Sequence, residues 1–210
     1  MRPHSALAIA LAVASPAVAA DSYDNTWYAA DFWSGEYPDG FTVTARVTVK
    51  IRVELTPAVE RSVDCALLDG ATYHPWNLAR VEADKLVFKS FTKIDELTVN
   101  SALDVTLYAR DYASEVPVHF AKGGRWRYLT YLAEGAFLME VDGKVYEGDQ
   151  DLFDNSTSTK PGGVEGNDEW MQLTCANDAT GWLLFGDMLG VPGIGDPNIV
   201  TYGEAKDAGK

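Results

Sequence analysis

Residues 147–154, EGDQDLFD, bring Glu147, Asp149, Asp151 and Asp154 close together in the chain. Carboxylates so placed can chelate a hard cation or share a proton as an acid pair. In an extended segment Asp149 and Asp151 would alternate onto one face. The twelve-residue calcium-loop pattern is absent, however, and an acidic turn is expected in a chain this acidic. Beyond His4, near the start, the histidines are His74, in Tyr73-His74-Pro75-Trp76, and His119, inside the alternating run Val118-His119-Phe120. No GxSxG, P-loop or dinucleotide fingerprint accompanies them. The two cysteines, Cys65 and Cys175, show no CxxC or HxxxH spacing, so the reading is of no metal and no cofactor. An even count of two in an exported chain points instead to one disulfide between Cys65 and Cys175.

Aromatic residues offer a different chemistry. Tyr73, His74 and Trp76 form one group. Trp126 and Tyr128 lie in a second, with Arg125 and Arg127 interleaved and Tyr131 following. In a strand Trp126, Tyr128 and Thr130 share one face and the arginines the other. Rings lined up in this way either fill a core or stack on sugar faces and proline rings.

The compartment is read from the first twenty residues, MRPHSALAIALAVASPAVAA. A basic start, a short apolar run at 6–14 and the small residues Ala17-Val18-Ala19 make a signal peptide over 1–20, cleaved after Ala19 or Ala20. The expected location is the periplasm or the medium, with no membrane insertion after cleavage. The formal net charge is −14. Such a surface repels phosphates, which excludes nucleic acid as a partner.

The elements that would position these residues are strands. Val43, Ala45, Val47, Val49, Ile51 and Val53 alternate with polar residues, as a half-buried strand does. Short apolar runs follow at even spacing, separated by turn residues at Asp69-Gly70, Lys122-Gly123-Gly124, Glu134-Gly135, Asp142-Gly143 and Asn177-Asp178. Pro75–Asp84 suits a short helix or a strand, with an irregular turn preferred. Residues 154–168 read as a long polar loop, and 190–210 as an extended C-terminal arm rich in Gly and Pro. The class is all-β.

From Val47 the chain reads VTVKIRVELTPAVERSVDCALLDGATYHPW. This stretch resembles the opening half of a bacterial SH3-like (SH3b) module: a strand with Arg, a Pro-bearing loop, an apolar strand, Asp-Gly and another strand. Glu169-Trp170-Met171-Gln172-Leu173 through Gly181-Trp182-Leu183-Leu184 is similar to the closing half, and 103–153 follows the same order again. The resemblance implies two small SH3-like barrels, either in tandem or with the second inserted into the first. The cysteines favour insertion, because Cys65 and Cys175 would then lie in one barrel. The expected organisation is an aromatic segment at 21–41, a first barrel from 42–96 plus 165–189, a second at 97–154, and the arm. Trp170 and Trp182 would pack together on neighbouring strands.

As the resemblance implies, such barrels bind peptides or glycans across an aromatic groove. The expected function is an exported, non-catalytic binding module that engages peptidoglycan, peptide or an envelope protein through Tyr73, His74, Trp76, Trp126 and Tyr128. The alternative is a periplasmic enzyme or enzyme inhibitor that uses His74 and the acidic loop. Exposure of the rings separates the two.

Overall fold

The computed structural model describes residues 23–35, 40–55, 61–74, 88–110, 114–160, 162–164, 166–197, 199–200 and 204–205. The signal segment, the Pro75–Asp84 stretch and Trp76 lie outside them. The chain is built of antiparallel strands, with one short helix and one 3-10 turn among the described residues, so the class is all-β.

Six strands form a first sheet in the order β1 (Trp27–Ala30), β6 (Phe88–Lys93), β14 (Asn167–Thr174), β15 (Thr180–Leu184), β3 (Thr48–Arg52) and β4 (Ser62–Ala66). Seven form a second: β13 (Ser156–Ser158), β7 (Asp95–Val99), β10 (Arg125–Ala133), β11 (Ala136–Val141), β12 (Lys144–Gly148), β8 (Leu103–Ala109) and β9 (Glu115–Phe120). A small sheet joins β16 (Ile194–Gly195), β2 (Phe41–Val43) and β5 (Thr72–Tyr73), and β17 (Ile199–Val200) pairs with β18 (Glu204–Ala205). The second sheet takes every strand from 95–158, whereas the first draws on both flanks of that segment. No sheet closes on itself, so the two barrels implied by the resemblance are not confirmed.

Local chemistry accounts for the hairpins. Glu134 and Gly135 have φ of 52° and 81°, and Asp142 and Gly143 have 51° and 72°. Two successive positive φ values make the tight turn whose twist matches that of the strands it joins. The expected long strand from Val43 to Val53 is instead split. Thr44–Arg46 bends out to solvent, its first amide donating to Gly193 O at 2.8 Å, and Ala45 is exposed where alternation would bury it. Val43 and Val47 are both buried on either side of this corner.

The expected polar loop at 154–168 is also partly structured. Asp149 caps a short helix, α1 (Gln150–Asp154), by accepting from Leu152 N–H. Asp149 and Asp151 therefore do not share the face of an extended segment. Ser156–Ser158 pairs with β7, and Asn155 donates through Nδ2 to Ser101 O at 2.8 Å. Polar composition conceals this edge strand because its side chains bond to neighbouring backbone and side chains rather than filling a core.

Three clusters of buried side chains hold the molecule together. One lies with the small sheet against the six-stranded sheet: Phe41, Val43, Ile51, Met171, Leu173 and Leu183. A second belongs to the seven-stranded sheet: Leu97, Leu107, Trp126, Tyr128, Phe137 and Met139. The third contains Phe91, Trp170 and Trp182, with Tyr23 and Trp27 packed on it. Trp170 and Trp182 stand on adjacent antiparallel strands, Trp170 opposite Leu184 and Trp182 opposite Gln172. Their side of β14 and β15 is the one away from Met171 and Leu183. Tyr23 stacks on Phe91 at 3.8 Å and receives the Trp170 Nε1 hydrogen bond at 2.7 Å. The Arg52 guanidinium lies 5.0 Å over the Trp170 ring.

Cys65, on β4, is disulfide-bonded to Cys175, just past β14, with α-carbons 5.3 Å apart. The same junction is stitched by Ala176 N–H to Ala66 O at 2.8 Å and by the Asn177 side chain, which bonds Ala66 N and Asp64 O. Gly181 serves close approach. A Cβ there would stand 2.4 Å from Arg52 O of β3, so any side chain would force the two strands apart.

Candidate functional site at the inter-sheet seam

Of the residues expected to line a groove, Tyr73, His74, Trp126 and Tyr128 are buried, and Trp76 lies outside the described residues. Tyr73 stacks on Phe41 at 5.2 Å, and its hydroxyl accepts from Leu68 N. Trp126 stacks on Phe137 at 5.2 Å and donates from Nε1 to Ser156 Oγ. Trp126 is 2 % exposed, Tyr128 7 %, Tyr73 6 % and His74 1 %. These four present no open face to a ligand, and burial pushes the Tyr128 hydroxyl well above its usual pKa. Tyr73 belongs to the first cluster and Trp126 and Tyr128 to the second, so they do not form one surface. His119 lies at the surface, with Nδ1 2.8 Å from Asp104 Oδ1. Among the described residues no three His, Cys, Asp or Glu side chains gather as metal ligands.

The polar side chains that do converge lie elsewhere, where the two large sheets meet. Residues 31–35 leave β1 and run as a strap between β6 and β10. Ser34 Oγ donates to Tyr131 O at 2.8 Å, and Gly35 N–H donates to Leu132 O at 3.0 Å. Lys89 Nζ pairs with Asp31 at 2.7 Å, and Trp33 meets Phe185 edge-on at 5.6 Å. Inside, Asn167 donates through Nδ2 to Ser34 Oγ at 2.6 Å, and Thr92 bonds both Asn167 Oδ1 and, at 2.8 Å, Thr130 Oγ1. Thr92 has a single hydroxyl proton and Asn167 Oδ1 can only accept. The Thr92 proton is shared between Asn167 Oδ1 and Thr130 Oγ1, while Asn167 donates to Ser34 and Ser34 back to Tyr131 O. The relay begins and ends on β10.

Beside it stands Glu169 of β14, opposite Ser90 of β6. Its Oε1 accepts from Ser34 N–H at 3.3 Å, and its Oε2 is in hydrogen-bond contact with Ser90 Oγ. Burial pushes the Glu169 pKa up to about 7; the bonds from Ser90 and Ser34 act against that rise and the Asp168 charge adds to it. Asp168, next in the chain, points to the other side of β14, where Tyr23 OH donates to it at 2.8 Å.

The strap also forms one wall of a cleft of about 290 Å³ lined by Phe32, Arg110, Leu132, Leu138 and Glu147. Leu132 and Leu138 come from the β10–β11 hairpin and Glu147 from β12, directly opposite Leu138. Arg110 follows β8, and its Nη1 donates to Tyr28 OH of β1 at 3.2 Å. A guanidinium and a carboxylate thus share a small hollow with an aromatic ring and two leucines.

No family model, curated protein or solved structure matches this chain.

Sequence reasoning missed Phe32, Ser34, Ser90, Thr92, Arg110, Asn167 and Glu169. A signal existed in KLVFKSFTK: Ser90 and Thr92 occupy alternate positions of a strand otherwise rich in Phe. Two small hydroxyls on one face of a buried strand announce polar partners across from them. Those partners, Asn167 and Glu169, lie more than seventy residues downstream.

Proposed function

We propose that this chain is an exported, non-catalytic binding module that takes its ligand in the cleft beside the strap. The observation that carries the reading is the cleft's lining, in which Arg110 and Glu147 supply opposite charges against the apolar walls of Phe32, Leu132 and Leu138. Pockets of this size, at the lower end of the roughly 300–1,000 Å³ typical of ligand sites, accommodate one sugar or one or two amino-acid residues. Opposite charges at one mouth suit a short peptide or an amino-sugar fragment of cell-wall glycan, whose own ends carry both signs. Export is supported by the Cys65–Cys175 disulfide, which persists in oxidising compartments. No helix among the described residues is long and apolar enough to cross a membrane.

The SH3-like likeness belongs to the same proposal. It is supported by the Trp170–Trp182 hairpin and the Asp69-Gly70 turn, with the glycine at φ 74°. The residues named for catalysis are occupied otherwise: His74 is buried, and Asp149 caps a helix. The test is calorimetric titration with soluble peptidoglycan fragments, repeated with Arg110→Ala and Glu147→Gln. Binding weakened about tenfold or more by either change supports the cleft, since a lost charge-assisted bond is worth roughly 1.5–3 kcal/mol. Binding that survives both changes, or none to any fragment, would remove the cleft as the ligand site.

A further inference from the structure

Counting protons around Ser90 assigns a state to Glu169. Ser90 Oγ receives Ser34 N–H at 3.1 Å and lies in hydrogen-bond contact with both Phe32 O and Glu169 Oε2. Phe32 O can only accept, and so can an ionised carboxyl, so both contacts are hydrogen bonds only when the single Ser90 proton goes to Phe32 O. The remaining contact, between Ser90 Oγ and the carboxyl, then needs a proton from Glu169. If the carboxyl were ionised, two oxygens would face each other with no hydrogen between them. One of the two bonds that fix the Phe32 carbonyl and the Glu169 side chain would then be lost.

We propose that the neutral carboxyl of Glu169 is a latch: its proton holds Phe32–Ser34 against β6 and β14, and loss of that proton loosens the strap. No compensating charge stands nearby to keep the latch shut when Glu169 ionises. The strap offers Asp31, which is paired with Lys89 of β6, and β14 offers Asp168, a like charge. From β10 comes Tyr131, whose hydroxyl accepts from Gly135 N–H, and from the 3-10 turn Phe185–Met188 comes Asp187, whose own pKa is raised by burial and by Asp168. No ion pair reaches Glu169 among the described residues. The neighbouring relay through Thr130, Thr92 and Asn167 contains no ionisable group. It keeps Ser34 Oγ tied to β10, so release is confined to the Phe32–Ser34 backbone. Phe32 lines the cleft; that ligand binding follows the latch rests on the reading given under Proposed function.

The experiment follows amide exchange of residues 31–35 at pH 6 and pH 8.5, as protection factors corrected for base catalysis, in the wild type and in Glu169→Gln. The amide of Gln donates to Ser90 Oγ at every pH, so this variant locks the latch. With the folded carboxyl titrating near 7, protection in the wild type falls about tenfold between the two pH values. In Glu169→Gln it stays constant. A wild type whose protection does not fall, or a variant whose protection falls equally, overturns the latch. So does a carbon-detected titration placing the Glu169 carboxyl at an ordinary value. None of these readings uses a ligand, so failure of the cleft to bind peptidoglycan leaves the latch standing and the two ideas are judged apart.

Discussion

Replacing both cysteines, Cys65→Ala with Cys175→Ala, separates what the disulfide does to the unfolded chain from what it does to the folded one. The folded side should change little. The β4 junction keeps the Ala176–Ala66 backbone bond and both Asn177 side-chain bonds, and alanine fits where the buried cysteine carbons stood. The unfolded side changes a great deal, because the bridge spans 110 residues. In the chain-entropy description a loop of that length is worth about 5 kcal/mol at 25 °C, which sets the upper end of the expected loss. Most small domains are stable by only about 5–15 kcal/mol, so the variant should fold but unfold at much lower urea. The assay is urea unfolding followed by tryptophan fluorescence, reporting both midpoint and slope. The midpoint should drop, and the slope should rise as the unlinked chain exposes more surface. A loss below about 1 kcal/mol with an unchanged slope would refute this account, since the crosslink would then not be restraining the denatured chain.

Two further outcomes follow from the packing and the seam. Trp182→Ala should cost about 3–5 kcal/mol by urea unfolding, because the ring is buried against Phe91 and Trp170; a near-neutral result would displace it from the third cluster. Stability should also fall as pH rises from about 4.5 to about 7, the interval between the ordinary Glu169 pKa of 4.5 and the raised one. Below that window both states are protonated; within it the unfolded chain ionises first; above it the folded state bears the full penalty of about 3 kcal/mol. Glu169→Gln should match the wild type at pH 4 and exceed it by about that amount at pH 8, and equal stability at pH 8 would contradict the shift.

Much of the fold could be read from local chemistry. Glu134-Gly135 and Asp142-Gly143 marked two hairpins because only residues tolerant of positive φ suit such turns. The Trp170–Trp182 hairpin and the Cys65–Cys175 bridge were likewise legible. Period two, however, says which side chains share a face and not whether that face is covered. Trp126 and Tyr128 share a face as expected, but Phe137 and Phe153 close over it. The break at Thr44–Arg46 was invisible because no Gly or Pro marks it; a hydrogen bond from Thr44 N–H to Gly193 O, far along the chain, holds the bend. The seam escaped for the same reason. Ser90, Asn167 and Glu169 look like ordinary surface residues until strands from distant parts of the chain are laid side by side.

The way the two large sheets share the polypeptide also bears on the order of assembly. Residues 95–158 supply all seven strands of one sheet, and its hairpins close over short separations, so that half can form as soon as it emerges. The six-stranded sheet cannot. β6 waits for β14, more than seventy residues later, and β3 waits for β15, 130 residues later. During synthesis, the early strands remain as unpaired edges until the last quarter of the chain arrives. Unpaired edges invite association with other chains. Holdase chaperones should therefore engage residues 48–93 first, and aggregation during expression should track the rate at which the carboxy-terminal hairpin is delivered.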